Sequence, residues 1–196
     1  MVAVSGIAGA GKTSVIKRAI DLLGNAAALY FDDYRDVSTY PPDLREWGAR
    51  GADVDEWKTP QLARDLYALR EEANTAVIIV EEPFGKMRRE MAGLIDLAMH
   101  LDVPADVLLV RRLLRRLGEE RHQFGDQLLD QLHRDLHEYL AVGRQLGALG
   151  AMQVRDAADV VLDGTKSVEE IAETLVGEVR RRADPTEHGE RQRRLD

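Results

Sequence analysis

A glycine-rich segment near the amino terminus carries the clearest chemical signal. It spans Gly6 to Thr13, reads GIAGAGKT, and follows the short β-branched run Val2–Ser5. This spacing matches the phosphate-binding P-loop, in which backbone N–H groups at the start of a helix surround phosphate oxygens. In that pattern Lys12 reaches the β- and γ-phosphates, and the Thr13 hydroxyl contacts Mg²⁺. We therefore expect ATP and Mg²⁺ as cofactors, with the nucleotide held by Gly6, Ala8, Gly9, Ala10, Gly11, Lys12, Thr13 and Ser14.

Two aspartates follow the second predicted strand. Asp32 and Asp33 come directly after the apolar run Ala26–Phe31. A carboxylate at this position would face the γ-phosphate and could accept the proton of an attacking hydroxyl group. We assign this role to Asp32, and the sequence leaves Asp33 open as the alternative.

An acidic pair also ends the third predicted strand. Glu81 and Glu82 follow the uninterrupted apolar run Ala76–Val80, which is typical of a strand covered on both faces. Because ligands of open parallel sheets lie beyond the carboxyl ends of the strands, Glu81 and the glycine-rich loop should share one site. We predict that Glu81 and Thr13 hold the Mg²⁺ ion, and the sequence leaves Glu82 open as the alternative to Glu81.

A group of arginines lies on the predicted helix from Pro104 to Leu117. Arg111 and Arg115 are four residues apart, so they form a ridge beside which Arg112 also lies. The polar stretch from 118 to 126 follows at once, as expected of a lid that closes over a substrate. We predict a lid at about residues 111–126, whose arginines stabilise the transferring phosphoryl group.

Strands that alternate with helices predict the fold. The pattern implies parallel pairing and right-handed crossovers. We therefore expect an α/β, three-layer P-loop NTPase fold with a five-stranded, mainly parallel sheet, helices on both faces and a small helical lid. One domain covers residues 1–182, and the polar stretch 183–196 is predicted to be disordered. The helices are predicted at residues 12–23, 60–73, 85–95, 104–117, 127–149 and 167–182, with Thr59 as one N-cap and a capping box of Ser167 and Glu170.

Composition removes several classes of function. The chain of 196 residues contains no cysteine, which excludes thiolate metal sites and cysteine nucleophiles. Its net charge of −8 argues against a nucleic-acid partner. No apolar run reaches the roughly 18 residues of a membrane span, and no secretory signal precedes the first strand. We expect a cytoplasmic monomer or homodimer whose partner is a small-molecule acceptor.

Four stretches resemble the uridine kinase and nicotinamide riboside kinase branch of the P-loop kinases. They are the loop from Gly6 to Thr13, Phe31 to Arg35, the arginine helix from Pro104 to Arg115, and Val161 to Ser167. The resemblance implies transfer of the γ-phosphoryl group of ATP to a hydroxyl of a nucleoside or a comparable small metabolite. The chain departs from the family at Glu81–Gly85, where relatives have Glu-Gly, and between Tyr34 and Trp57, so the acceptor stays open.

The same resemblance implies roles for further residues. Asp32 matches the catalytic aspartate, and Asp55 matches an aspartate that binds ribose hydroxyls of the acceptor. Together with Asp32, the acceptor pocket would include Tyr34, Asp55 and Glu82. The turn formed by Gly164, Thr165 and Lys166 falls where relatives surround the adenine ring. The catalytic set is then Asp32, Lys12, Arg111, Arg112 and Arg115.

Two other functions remain open from the sequence. A nucleoside monophosphate kinase would grip the acceptor phosphate with arginines, for which Arg35, Arg45, Arg50, Arg88 and Arg89 are candidates. A nucleotide-binding regulatory protein would hold ATP without any acceptor. A GTPase is disfavoured, because the stretch from Thr165 to Val168 lacks the aspartate of the guanine-reading motif.

Overall fold

Five parallel strands form one sheet in the computed structural model, which describes residues 1–72, 75–119, 125–144 and 152–183. The strands are β1 (Val2–Ser5), β2 (Ala26–Tyr30), β3 (Val77–Glu81), β4 (Leu97–Asp102) and β5 (Val160–Asp163). Their order in the sheet is β2-β3-β1-β4-β5. The register places Val4 beside Glu81 and Ser5 beside His100, so the loop after β1 lies between the carboxyl ends of β3 and β4. The predicted fold class is confirmed.

Helices connect the strands and cover both faces of the sheet. They include α1 (Lys12–Leu23), α2 (Leu44–Ala49), α3 (Pro60–Glu71), α4 (Arg89–Ala92), α5 (Ala105–Glu119), α6 (Gly125–Glu138) and α7 (Val168–Ala183). Residues 152–156 are also helical. Two short 3₁₀ segments lie at Phe31–Val37 and Val54–Glu56, and a π-helical turn at Tyr139–Gly143 follows α6. The predicted helix end near residue 149, the lid segment 120–124 and the polar tail from 184 lie outside the described residues.

Each face of the sheet has its own hydrophobic core. On one face, α1 and α7 pack on β1 and β4 through side chains such as Ile16 and Leu175, both fully buried. On the other face, α3 packs on the central strands through Leu62 and Leu66, which are also fully buried. Removing a buried aliphatic side chain of this kind costs about 2–5 kcal/mol. The two cores therefore hold the carboxyl edge of the sheet, where the candidate site lies, as a rigid platform.

Helix α7 begins with the predicted capping box. The backbone N–H of Glu170 donates to the Ser167 hydroxyl at 3.3 Å, and the backbone N–H of Ser167 donates to the Glu170 carboxylate at 3.1 Å. Two backbone donors at the helix start are thus satisfied by side chains. This local pattern was readable from the sequence because both partners lie within one turn.

Thr59 is the N-cap residue of α3, as predicted, but its side chain does not cap the helix. Thr59 does precede α3, and Pro60 is the first helical residue, but the Thr59 hydroxyl makes no capping hydrogen bond. It instead accepts a hydrogen bond from Arg88 Nη1 at 2.9 Å, while its own N–H donates to Glu90 at 3.2 Å. A buried arginine has taken the hydroxyl that the helix would otherwise have used.

The helix predicted at residues 85–95 is reduced to the single turn α4. Gly85 has a φ of +56°, a left-handed conformation, and Arg88 is extended with ψ at 127°. These conformations turn the Arg88 side chain inward, where it is fully buried. The residues before Arg89 are therefore not helical, and the Arg88 guanidinium group is buried beside Glu82.

No helix in the described ranges combines the length and the apolar character that a bilayer crossing requires.

Candidate active site

The glycine-rich loop turns the chain from β1 into α1. Gly6, Gly9 and Gly11 all have positive φ values, and Gly11 is the N-cap of α1. At Gly9 the reason for glycine is clear, because φ is +93° and an added Cβ would lie 2.9 Å from Arg112 Cγ. The loop backbone and α5 therefore touch directly. Ala8, Thr13 and Ser14 are exposed around the loop, whereas Gly6 and Ala10 are buried beneath it.

Glu81 joins the two reactive side chains of the loop. Its Oε1 lies 3.3 Å from Lys12 Nζ, and its Oε2 accepts a hydrogen bond of 2.9 Å from Thr13 Oγ1. Lys12 and Glu81 are both buried, with 8% and 7% exposure. Two oxygens bound to neighbouring positions of an octahedral Mg²⁺ at about 2.1 Å lie about 3 Å apart. The Thr13 and Glu81 oxygens match that separation, so these two residues fit the predicted Mg²⁺ ion.

Arg111 connects the glycine-rich loop to the turn after β5. Its Nη1 donates to the Gly164 carbonyl at 3.0 Å and to the Ala10 carbonyl at 3.4 Å. The turn packs closely on the end of β4 at this glycine, because an added Cβ at Gly164 would lie only 2.3 Å from Val103 Cγ2. We call this pair of contacts the Arg111 bridge. It places the predicted base-binding turn and the predicted phosphate-binding loop on one guanidinium group.

An open cleft of about 510 Å³ adjoins that turn. It is lined by Asp102, Pro104, Val161, Leu162, Asp163 and Thr165. The turn itself is held by Asp163, whose carboxylate accepts from both the backbone N–H and the hydroxyl of Thr165. These bonds hold the pKa of Asp163 below its usual value. Thr165 and Lys166 are exposed at the edge of the turn, consistent with the predicted position of a nucleotide base.

Two of the predicted catalytic arginines face the space between α5 and α6. Arg112 and Arg115 line a cleft of about 160 Å³ together with Arg116. The Arg112 guanidinium stands over the Tyr139 ring at 5.8 Å from its centroid, and the Arg112 stem packs on Gly9. Their predicted contact with a transferring phosphoryl group remains a prediction.

Asp32 and Asp33 lie in the 3₁₀ segment directly after β2. The Asp32 side chain is 77% exposed, and its nearest ionic partner is Arg35 at 3.9 Å. Asp33 lies close enough to Tyr30 for its charge to act on the phenol. Partial burial raises the pKa of Tyr30, and the negative charges of Glu81 and Asp33 raise it further. Both aspartates thus stay candidates for the carboxylate that receives a proton.

Two predicted acceptor contacts already have partners. The Tyr34 hydroxyl donates to Asp65 at 2.8 Å, and burial followed by this bond raises the pKa of Tyr34 to about 12. Asp55 accepts from the backbone N–H of Arg89 at 2.8 Å and from its side chain. This pairing lowers the pKa of Asp55. Both residues border the segment expected to receive the acceptor, but neither presents an unbound polar group to it.

The structure corrects the role predicted for Glu82. Its side chain is fully buried, and both carboxylate oxygens accept hydrogen bonds from Arg88. Burial raises the pKa of Glu82, while the Arg88 charge opposes that rise. Arg88 also donates to the Trp57 carbonyl at 2.7 Å and to Thr59. Glu82 therefore holds the 57–59 segment through Arg88 and has no surface with which to contact an acceptor.

An aromatic cluster surrounds this buried ion pair. Its members are Phe31, Tyr40, Trp47, Trp57 and Phe84, with neighbouring ring centroids 5.0–6.4 Å apart. The Trp47 indole N–H donates to the Asp53 carbonyl at 2.8 Å. The Trp57 indole N–H is buried and has no hydrogen-bond partner among the described residues. A buried donor without a partner costs free energy, so the packing of this cluster leaves one hydrogen bond unmade.

A buried histidine beneath the loop was missed by sequence reasoning. His100 is 2% exposed, and its Nδ1 lies 3.0 Å from the hydroxyl of Ser5, the last residue of β1. Because the Ser5 hydroxyl donates its single proton to the Met99 carbonyl, Nδ1 carries the ring proton. Burial lowers the pKa of His100, and the charge of Lys12 adds to this effect.

The signals for these missed residues differ. The pairing of β4 with β1 brings His100 beside Ser5, so this buried polar pair follows from a strand order that the sequence did not give. Arg88 and Glu82 carry no such signal, because six residues separate them and neither helix nor strand spacing brings them together. The indole of Trp57 depends on a packing arrangement that no local pattern encodes.

Two shikimate kinases and a putative fructose transport system kinase are among the solved structures to which this chain is similar. A shikimate kinase from Aquifex aeolicus has 16% identity and a TM-score of 0.48, with 93% of this chain and 97% of that chain covered. A shikimate kinase from Acinetobacter baumannii in complex with shikimate has 16% identity and a TM-score of 0.49, with 91% of this chain and 91% of that chain covered. A putative fructose transport system kinase from Silicibacter has 20% identity and a TM-score of 0.47, with 82% of this chain and 88% of that chain covered. No protein-family model matches the chain, and no curated protein matches it in sequence.

Proposed function

We propose that this chain is an ATP-dependent phosphotransferase that moves the γ-phosphoryl group to a hydroxyl of a nucleoside or a similar small metabolite. The observation that carries the proposal is the contact of Glu81 with both Lys12 and Thr13 at the carboxyl edge of the sheet. This arrangement supplies a cation for the phosphates and two oxygens for Mg²⁺ at one place. A simple glycine turn would need neither.

The residues divide the work of phosphoryl transfer. The loop amides and Lys12 hold the β- and γ-phosphates, and the turn at Gly164 to Lys166 holds the base. Asp32, or Asp33 in its place, orients the acceptor hydroxyl and takes its proton as the new P–O bond forms and ADP leaves. Bound Mg²⁺ would neutralise charge on the phosphates, with Thr13 and Glu81 as its protein partners.

The arginines favour a hydroxyl acceptor over an acceptor phosphate. Arg88 is buried and engaged by Glu82, and Arg89 is paired with Asp55. Arg50 lies 3.2 Å from Glu56. An acceptor phosphate would have to compete with these carboxylates for its cations. A neutral acceptor needs only hydrogen bonds and no competing cation.

The test is an ATP-consumption screen of the full chain with nucleosides, hydroxy acids, sugars, vitamins and nucleoside monophosphates. Lys12→Ala should lose nucleotide-dependent turnover with every acceptor. With the best acceptor, Asp32→Asn and Asp33→Asn should differ in kcat. The variant that lacks the proton-accepting carboxylate should lose at least about 10²-fold in kcat, and the other variant should change little.

Three results would count against the proposal. Turnover that no acceptor raises above hydrolysis would favour a nucleotide-binding regulatory protein. A nucleoside monophosphate as best acceptor would establish the phosphate-acceptor alternative. Full activity in both aspartate variants would remove the assigned proton acceptor.

A further inference from the structure

Two histidines on the outer side of α6 face each other across one helical turn. The Nε2 atoms of His133 and His137 are 3.1 Å apart, and their ring centroids are 4.4 Å apart. Both side chains are exposed. Leu132 and Leu136, the residues just before them, line the cleft against α5, which leaves the histidines on the adjoining solvent face. No part of the proposed phosphoryl transfer uses this pair.

The distance between the two nitrogens suits a shared metal ion. Imidazole nitrogen binds Zn²⁺ at about 2.0–2.1 Å. Two such nitrogens lie about 2.9 Å apart at the 90° angle of a tetragonal ion and about 3.3 Å apart at the tetrahedral angle. The observed separation falls between these values. The helix spacing of four residues produces it, because residues i and i+4 are neighbours on one face.

The present contact is also that of a hydrogen bond between two neutral rings. One Nε2–H then donates to the other Nε2, so one ring carries its proton on Nε2. Metal binding requires that this proton move to Nδ1 of the same ring, which leaves both Nε2 lone pairs directed at the ion. No proton need leave the protein, and Nδ1 of an exposed ring can donate to water.

We propose that His133 and His137 form a surface site for a first-row transition-metal ion such as Zn²⁺, Ni²⁺ or Cu²⁺. The two Nε2 atoms chelate the ion, and water fills its other positions. Within the described ranges no third histidine, aspartate or glutamate joins the pair to complete a protein cage. The site therefore prefers borderline metals that bind imidazole, and it discriminates against Mg²⁺, which prefers oxygen ligands.

The test titrates metal-free, nucleotide-free full-length protein with Ni²⁺ and with Zn²⁺ by calorimetry. His133→Asn and His137→Asn remove one ligand each, and each should weaken binding at least about tenfold, because the second imidazole no longer binds as part of a chelate. Asp130→Asn is the matched control, since it lies one turn before His133 on the same face. Its affinity should equal that of the wild type. Far-UV circular dichroism checks that α6 remains folded in each variant.

Electron paramagnetic resonance of bound Cu²⁺ gives a second readout. The wild type should show two nitrogen ligands, and each histidine variant should show one. Wild-type affinity in either histidine variant, or an absence of stoichiometric binding in the wild type, would overturn the proposal. Loss of binding in Asp130→Asn equal to that in the histidine variants would also overturn it, because the ion would then be held by carboxylate.

Discussion

Glu81 illustrates how one side chain can prepare a site before its ligands arrive. Its Oε1 lies 3.3 Å from Lys12 Nζ, and its Oε2 accepts a hydrogen bond of 2.9 Å from the Thr13 hydroxyl. A nucleotide would replace the Lys12 contact with phosphate oxygens, and a metal ion would take up the oxygens of Thr13 and Glu81. The charge of Glu81 is thus needed both without and with the ligands.

Glu81→Gln should lower kcat/KM about 10²- to 10³-fold, the range reported for removing one preorganised electrostatic contact. The amide keeps a hydrogen-bond acceptor for Thr13 but loses the charge that attracts Mg²⁺. Steady-state kinetics at increasing Mg²⁺ would show a higher Mg²⁺ requirement. Glu71→Gln, at an exposed carboxylate on α3, is the control and should leave the kinetics unchanged. Wild-type kinetics in Glu81→Gln would contradict the assignment.

His100 makes stability depend on pH in a definite direction. An unfolded histidine has a pKa of about 6.5, whereas burial lowers the pKa of His100 in the folded protein. The unfolded state therefore binds the proton more readily. The stability associated with the neutral ring is present above about pH 6.5 and is lost as the pH falls through the lowered folded-state pKa.

His100→Asn should reduce this pH dependence. The asparagine amide can replace Nδ1–H as the donor to Ser5, but it does not titrate. Melting temperatures of both proteins, measured between about pH 7.5 and pH 5.5, should show the wild type falling further than the variant. Parallel curves over this range would mean that His100 does not set the pH dependence.

At the scale of elements, the segment between β3 and α4 depends on a buried charge pair. Arg88 is held by Glu82, Trp57 and Thr59, so it fastens the start of α3 to the end of β3. The orientation of the aromatic cluster depends on the same contacts. Removing one charge leaves the other buried and uncompensated.

Arg88→Met should cost about 3–5 kcal/mol of unfolding free energy, the range for breaking a buried ion pair from one side. The double variant Glu82→Gln with Arg88→Met should recover part of that loss, because no lone charge is left inside. Urea denaturation of the wild type, both single variants and the double variant measures the coupling. Additive losses, or a loss under about 1 kcal/mol for Arg88→Met, would contradict the structural account.

Gly164 and Gly177 differ in whether an added methyl group would meet a neighbouring atom. Gly164→Ala should weaken nucleotide binding, because its Cβ would displace Val103 or the turn that Arg111 contacts. Gly177→Ala is the matched control within α7, where a Cβ meets nothing within 4 Å. It should stabilise the protein by about 0.5–1 kcal/mol. Calorimetry with ATP and thermal melts report the two effects, and equal nucleotide affinity in both variants would contradict the first.

Sequence reasoning reached the parts of the molecule that are specified locally. The strand Val2–Ser5 and the helix Lys12–Leu23 were predicted with their observed bounds, because a β-branched run, a glycine turn and a helical period follow one another directly. The grouping of Lys12, Thr13 and Glu81 followed from the rule for parallel sheets.

What sequence reasoning missed depends on contacts between distant segments. The Thr59 hydroxyl accepts a hydrogen bond from Arg88, a residue 29 positions away, and does not cap α3. The family resemblance placed Glu82 in the acceptor pocket, whereas here it is fully buried and paired with Arg88. The local sequence around Thr59 and Glu82 does not reveal these contacts, because each depends on the position of Arg88 in the folded chain.

At the scale of the whole molecule, nucleotide binding should raise stability, because the proposed site exists only in the folded chain. A ligand at 100 times its Kd contributes about 2.7 kcal/mol, which corresponds to a rise of about 5–10 °C in Tm for a domain of this size. Thermal melts with Mg²⁺ and a non-hydrolysable ATP analogue measure this rise. Lys12→Ala should abolish most of it, and Lys17→Ala, an exposed lysine on the same helix, should not. An equal rise in both variants would place the nucleotide elsewhere.

The Arg111 bridge has a consequence for how binding free energy is shared. Since one guanidinium group holds the carbonyls of Ala10 and Gly164, displacement of either loop shifts the contact made by the other. The base and the triphosphate of a nucleotide would then not contribute additively. Occupation of one end would lower the ordering cost of the other, so adenosine and inorganic triphosphate bound together should show positive cooperativity.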